Sequence, residues 1–270
     1  MNILECKSIK EKEIIKLKQN IKEKLTLAVI QIGNFKENEV YLRNKKKIAL
    51  ELGIDIIELK YTESDSEEKI KNKILELNLD ETITGIMIQK PILSNYNYQK
   101  LVNYIDYRKD VDGVGIINQE RLINNKSCLI PCTAQAVMKI LEDYKINIAN
   151  KQIAIIGKSK LVGMPLYNIL SKKTQVILCD SKTKNLNHII EQSDIIISAI
   201  GKANYFNNNN FKDGQTIIDV GTNYLNDKLV GDVDSSSIDK QLSITPVPGG
   251  VGQLTTIYLF WNLIVAKNFK

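Results

Sequence analysis

Residues 152–170 read QIAIIGKSKLVGMPLYNIL. The stretch opens on a short apolar run, Gln152 to Ile156, turns at Gly157, and resumes after Gly163 and Pro165 as the helical string LYNILSKK. Glycine directly after a buried strand lets the backbone turn tightly. The helix that follows then offers free N–H groups and the positive end of its dipole, a setting suited to a pyrophosphate. The spacing is not GxGxxG, because Ser159 occupies the second glycine position and the last glycine comes late. Taken alone, the loop is as compatible with a plain strand-to-helix turn.

Downstream the same rhythm repeats, with apolar runs at 175–179, 195–199 and 216–220 separated by helical or turn segments. Continuous apolar strands alternating with helices predict a parallel sheet covered on both faces. Cys179, Asp180, Ser181, Lys182 and Thr183 fall where an adenosine ribose would lie. Lys158, Ser181 and Lys182 suit a 2′-phosphate and favour NADP. Asp180 argues for the ribose hydroxyls of NAD, and a third reading has Asp180 and Ser181 only capping a helix. Ser198 to Gly201 and Asp219 to Asn223 also end strands on small residues that face the ligand crevice of such a sheet. The candidate dinucleotide contacts are therefore Gly157, Lys158, Ser159, Val162, Gly163, Pro165, Ser181, Lys182 and Thr222.

Upstream, strands are predicted at 25–32, 55–59 and 85–89, with helices at 38–52, ending at Gly53, at 66–77, opened by Ser66, Glu67 and Glu68, and at 96–105. A helix at 133–144 bridges to the second lobe, and Asn207 to Asn210 reads as a polar surface turn. The predicted fold is α/β with two lobes, each a mainly parallel sheet flanked by helices, the second a Rossmann-type NAD(P)-binding domain. Residues 1–118 with 253–270 are assigned to one lobe and residues 119–252 to the dinucleotide lobe.

Bulk properties exclude several classes. The 270 residues suffice for two such lobes, and 43% hydrophobic against 25% charged residues is ordinary for a globular chain. The net charge is +6, but the lysines of 10–24 and 69–73 alternate with glutamate as solvated helix faces do, so no nucleic-acid partner is expected. Cys6, Cys128, Cys132 and Cys179 lack paired metal-site spacing, and His188 is the single histidine, so no metal is expected. The opening MNILECKSIKEKEII lacks the apolar core of a signal peptide, pointing to a reducing, cytoplasmic setting. Leu254 to Ala266, interrupted by Thr255, Thr256 and Asn262, falls short of the ~20 apolar residues that span a bilayer, so it reads as a buried helix with no membrane role.

A set of landmarks runs the length of the chain: YLRNK at 41–45, IMIQKP with Gln89 and Pro91, KDVDG at 109–113, IPCT at 130–133, GKSKLVGMP at 157–165, IDVGTN at 218–223, GDV at 231–233 and TPVPGGVG at 245–252. In order and spacing these resemble the bifunctional methylenetetrahydrofolate dehydrogenase/methenyltetrahydrofolate cyclohydrolase proteins. The resemblance implies that the lobe of residues 1–118 with 253–270 is the folate-binding catalytic one, with a folate site where two lobes meet and Tyr41, Lys45, Gln89 and Asp112 as its catalytic set. It also implies that Tyr41, Asp112, Pro248, Gly249 and Gly250 contact the substrate and that the protein is a homodimer. YxxxK spacing puts a stacking ring and an amine on one helix face. Gln89 at a strand end can hydrogen-bond Lys45, and the Asp112 carboxylate matches the adjacent donors of a pterin. PVPGGVG reads as a stiff, close-approach loop that would separate folate from nicotinamide.

Four positions depart from that family's usual pattern: Lys90 for leucine, Ala134 for proline after PCT, Glu120 for glycine before Arg121, and Gln253 for proline after GGVG. None removes a proposed catalytic group, although a charge at Lys90 bears on Lys45 and on the balance of the two activities. The implied chemistry is oxidation of 5,10-methylenetetrahydrofolate with NADP and hydrolysis of the methenyl product to 10-formyltetrahydrofolate. The alternatives are another two-lobe dehydrogenase of the amino-acid or shikimate type, or a non-catalytic nucleotide-binding protein.

Overall fold

The structure, a computed structural model, describes residues 1–269. In chain order the first elements are β1 (Asn2–Ile3), α1 (Lys7–Asn20), β2 (Thr26–Ile32), α2 (Lys36–Leu52), β3 (Asp55–Tyr61), α3 (Glu67–Leu79), β4 (Gly85–Ile88), α4 (Tyr98–Val102), α5 (Ile116–Ile123) and α6 (Cys132–Asp143). There follow β5 (Gln152–Ile156), α7 (Gly163–Leu170), β6 (Gln175–Cys179), α8 (Leu186–Gln192), β7 (Ile195–Ser198), β8 (Thr216–Asp219), β9 (Asn223–Leu225), β10 (Lys228–Val230), β11 (Ser243–Ile244) and α9 (Val251–Lys267).

Two compact units result, residues 13–132 with 259–270, and residues 1–12 with 133–258. The first carries a three-stranded parallel sheet ordered β3-β2-β4. Its central strand β2 is buried along its whole length, as the unbroken apolar run TLAVIQI requires. α2 ends where Gly53 takes a left-handed conformation (φ 68°). α3 begins where the Ser66 side chain accepts the Lys69 N–H at 3.1 Å, a cap worth about 1 kcal/mol.

The second unit holds a six-stranded, wholly parallel sheet ordered β1-β11-β8-β7-β5-β6. Successive side chains of its strands alternate between two cores. Ile195 and Ile197 pack with Ile153 and Ile155, while Ile196 packs with Ile156 and Ile217 on the opposite face. Counted from β5, the strand order is 2-1-3-4-5, so the switch point where ligands bind in such sheets lies between β5 and β7.

β1 extends the far edge, with Asn2 opposite Ser243 and Ile3 opposite Ile244. That pairing, with Leu4, Cys6 and Ile9 packed into the core of the same unit, puts residues 1–12 with the six-stranded sheet, whereas the sequence reading grouped them with the other lobe and drew its boundaries after 118 and 252. The helix predicted at 96–105 is only the short α4, because Asn97 caps its start by accepting the Lys100 N–H at 3.0 Å and Asn103 ends it. The β9–β10 hairpin, α5, β1 and β11 had no counterpart in the sequence reading; each is short or partly exposed. No helix among the described residues is long and apolar enough to cross a membrane.

Candidate active site

The buried residues of α2 are Asn38, Leu42, Lys45, Ile48, Ala49 and Leu52, which lie along one face of the helix. Lys45 therefore occupies a core position and is only 7% exposed, with Tyr41 half-buried one turn earlier. The Lys45 Nζ lies 5.8 Å from the centroid of the Tyr41 ring and donates to Gln89 Oε1 at 2.7 Å. Gln89, directly after β4, extends that strand's ladder by donating its N–H to Ile30 O at 2.8 Å. Its own Nε2 donates to Lys90 O at 2.8 Å, which fixes which end of the amide faces the lysine.

Asp112 arrives by a different route. The 109–113 segment lies alongside β4, with Ile86 N–H donating to Lys109 O at 2.7 Å and a parallel bridge between Ile86 and Asp110. The Asp110 carboxylate accepts from Gly115 N–H at 2.8 Å and Asn118 Nδ2 at 3.0 Å and so folds the turn. Gly113 completes it at φ 72°, where a Cβ would sit 2.7 Å from Leu129 O. The segment thus sets the Asp112 carboxylate within electrostatic reach of Lys45.

Burial pushes the Lys45 amine below its ordinary pKa, while Asp112 and Cys132 pull it back up. Burial likewise pushes the Asp112 carboxyl up, opposed by Lys45, a hydrogen bond with Cys132, and Lys90. Each group's apolar surroundings favour its neutral form and each partner's charge restrains that tendency.

The four residues named from the sequence are therefore brought to one place in one unit. Sequence reasoning missed three neighbours. Asn38 is wholly buried, donates Nδ2 to Pro91 O at 2.8 Å, and leaves its Oδ1 without a partner among the described residues. Its spacing of three and seven residues before Tyr41 and Lys45 was the available signal. The Tyr98 hydroxyl is held well above its usual pKa by burial and then by Asp112 and Asp110, and nothing in the sequence marks it. Cys132 donates Sγ to Val111 O at 3.3 Å. Lys90 is exposed, its Nζ 4.8 Å over the Tyr98 ring, while Gln89 beside it is buried.

In the six-stranded unit Gly157 leaves β5 at φ 115°, where a Cβ would meet Ala199 O, at the end of β7, at 2.3 Å. A Cβ on Gly163 would stand 1.7 Å from Gly157 O. Both glycines are steric requirements of the switch point. The loop is pinned by Ser159, whose Oγ accepts from Val162 N–H at 3.1 Å and whose carbonyl accepts from Met164 N–H at 3.0 Å. Pro165 occupies the first turn of α7, where its missing N–H costs nothing.

Asp180 does not cap α8, which begins at Leu186 after Asn185. Its carboxylate instead accepts Lys182 N–H at 2.9 Å and the Thr183 hydroxyl at 3.4 Å, and the Lys182 N–H leads the groups that hold it below the usual range. Lys158, Ser181, Lys182 and Thr222 are all exposed. Pro248, Gly249 and Gly250 belong to this unit too, in a turn where a Cβ on Gly250 would meet Pro246 O at 2.5 Å. The turn is shorter than predicted, because α9 already starts at Val251.

A doubly wound sheet with two obligatory glycines at its switch point, joined in one chain to a unit holding a buried lysine–glutamine pair, defines a dinucleotide-dependent α/β enzyme. Residues 4–112 match the tetrahydrofolate dehydrogenase/cyclohydrolase catalytic domain, and residues 131–270 match the NAD(P)-binding domain of the same family. The bifunctional protein FolD of Campylobacter concisus is 38% identical, with 100% of this chain and 99% of that protein covered. The bifunctional methylenetetrahydrofolate dehydrogenase/cyclohydrolase structure from Campylobacter jejuni is similar at a TM-score of 0.94 and 34% identity, covering 99% of each chain. The Trypanosoma brucei dehydrogenase-cyclohydrolase, solved with NADP and an inhibitor, aligns at a TM-score of 0.91 and 26% identity over 98% of this chain and 97% of that one. The chain belongs to the tetrahydrofolate dehydrogenase/cyclohydrolase family and is an enzyme with a catalytic and an NAD(P)-binding domain. Membership favours this reading over an amino-acid or shikimate-type dehydrogenase.

Proposed function

We propose that the protein oxidises 5,10-methylenetetrahydrofolate with NADP and hydrolyses the resulting 5,10-methenyl compound to 10-formyltetrahydrofolate. The observation that carries this reading is the buried Lys45 amine, bonded at 2.7 Å to Gln89 and influenced by Asp112.

The substrate's methylene carbon lies between two nitrogens whose lone pairs stabilise the cation left when hydride departs. The dinucleotide, when bound, supplies the hydride acceptor. Gly157, Lys158, Ser159, Val162, Gly163, Pro165, Ser181, Lys182 and Thr222 would hold it. The glycine cradle fits, since neither Gly157 nor Gly163 has space for a side chain. The engagement of Asp180 in its own turn, beside exposed Lys158, Ser181 and Lys182, supports NADP over NAD.

Tyr41 stacks on the substrate, and Asp112 accepts hydrogen bonds from the pterin's adjacent donors. Lys45 moves the proton when water adds to the methenyl carbon. Burial and the substrate's positive charge both favour its neutral amine, and Gln89 aims it. Pro248, Gly249 and Gly250 contribute a close-approach wall for the ligands. A homodimer and a cytoplasmic setting complete the reading, both on the family resemblance.

A spectrophotometric assay with 5,10-methylenetetrahydrofolate and each nucleotide tests it. Reduction of NADP is expected, with cyclohydrolase activity abolished in Lys45→Met. Undiminished cyclohydrolase activity in that variant removes Lys45 from its role. Sedimentation tests the dimer, and an exclusively monomeric active enzyme rejects it.

A further inference from the structure

The Asp232 side chain is wholly buried in the six-stranded unit and is surrounded by donors. Its Oδ2 accepts from Ser198 Oγ at 2.9 Å and Ile200 N–H at 2.8 Å, and its Oδ1 from Lys202 N–H at 2.9 Å and Asn223 Nδ2 at 3.2 Å. Asp219 adds a second knot: its carboxylate accepts the N–H groups of Gly221 at 2.9 Å, Asp232 at 3.0 Å and Val233 at 2.9 Å. Asp219 is itself tied to the end of β11, its N–H donating to Thr245 Oγ1 at 2.8 Å. The knots leave no room for side chains on the adjoining backbone. A Cβ on Gly221 would lie 2.4 Å from Asp232 Oδ1 and one on Gly231 would lie 1.9 Å from Asp219 Oδ2.

The segments so tied are the carboxyl ends of β7 and β8. Ala199, whose carbonyl confronts Gly157 across the switch point, lies between Ser198 and Ile200, both held by Asp232. Thr222 lies between Gly221, held by Asp219, and Asn223, held by Asp232. An ionised carboxylate is acceptor-only, so a single side chain can take four donors from two loops, which no neutral side chain of that size does.

We infer that Asp232 is a positioning residue for the dinucleotide: through its four bonds it fixes the Ala199 and Thr222 loops against the Gly157 turn. This rests on the NAD(P)-binding role of the unit, and the wild-type affinity for NADP is measured first, so failure of that role shows before any variant is compared.

The test is Asp232→Asn. The amide nitrogen must face either Ile200 N–H or Lys202 N–H, whereas the Ser198 hydroxyl and the Asn223 amide can turn to accept; one backbone donor is lost whichever way it points. Calorimetric titration with NADP is expected to show affinity weakened about tenfold, the scale of one lost bond to a charged acceptor. Cyclohydrolase turnover of supplied 5,10-methenyltetrahydrofolate, which consumes no dinucleotide, keeps its wild-type rate, an outcome that general loss of structure does not give. Asn223→Ala, which removes the amide that donates to Asp232 and leaves the carboxylate itself intact, is expected to weaken NADP binding about two- to fivefold and decides the matter should Asp232→Asn not fold. Wild-type NADP affinity in folded Asp232→Asn, or in Asn223→Ala where Asp232→Asn does not fold, overturns the inference, as does a proportional fall in cyclohydrolase rate.

Discussion

Replacing Gln89 by leucine isolates the contribution of one hydrogen bond to the chemistry of Lys45. The amide oxygen accepts from the Lys45 ammonium at 2.7 Å, and both side chains are buried, 7% and 6% exposed. The bond favours the charged amine and so opposes the downward push of burial. A hydrogen bond to a charged group contributes about 1.5–3 kcal/mol, and ~1.4 kcal/mol corresponds to one pH unit, so the amine-dependent limb of the cyclohydrolase pH–rate profile should move about one to two pH units towards acid. The plateau should fall as well, by up to about a hundredfold, because the amine is no longer aimed. Gln89→Glu puts a carboxylate where the amide oxygen stands and should move the same limb towards alkali. Rates of 5,10-methenyltetrahydrofolate hydrolysis across the pH range give both displacements. A limb that stays in place in Gln89→Leu, or moves the same way in both variants, refutes the assignment.

Gly163→Ala should weaken NADP binding at least about tenfold and cost about 1–3 kcal/mol of stability, since its Cβ would stand 1.7 Å from the Gly157 carbonyl, which is backbone and can only yield by moving the loop; titration and denaturant unfolding measure the two effects, and wild-type values in both would contradict the reading of the turn. Asp110 and Asp219 are each raised by burial to about 6 from an ordinary 3.8. In that window the native state holds protons that the unfolded chain releases, so the stability they contribute is present below pH 3.8 and lost as pH rises through 6. Unfolding free energy should gain about 1 kcal/mol from each on going from pH 7 to pH 5. An Asp110→Asn, Asp219→Asn double variant with unchanged pH dependence would exclude them as the source.

Regular strands buried on both faces were legible because an unbroken apolar run between glycine and polar breaks has few other uses. The strands at 152–156 and 175–179 coincide with β5 and β6 residue for residue. Strand order was not legible. Nothing local to Asn2 and Ile3 announces a partner at Ser243 and Ile244, since a two-residue pairing draws its stability from the sheet it joins. In the catalytic unit, Tyr41 and Lys45 declared themselves by helical spacing, but Lys45 and Gln89 meet only because the fold brings α2 beside the residue that follows β4, and the sequence supplied that pairing only through family resemblance. Asp232 was visible as part of GDV, yet its partners Ser198, Ile200, Lys202 and Asn223 converge from loops 9 to 34 residues away in the chain, a closeness only the folded sheet creates.

β1 has a consequence for the order in which the molecule is made. Asn2 and Ile3 leave the ribosome long before their partners Ser243 and Ile244 are synthesised. Until then the N-terminal strand has no neighbour, and neither does the edge of β8 that β11 will cover. Completing the six-stranded sheet is therefore a late, long-range event. Chains truncated before residue 243 lose both strands together, so a nascent or clipped product exposes the edge of β8 as a ready template for pairing with another chain.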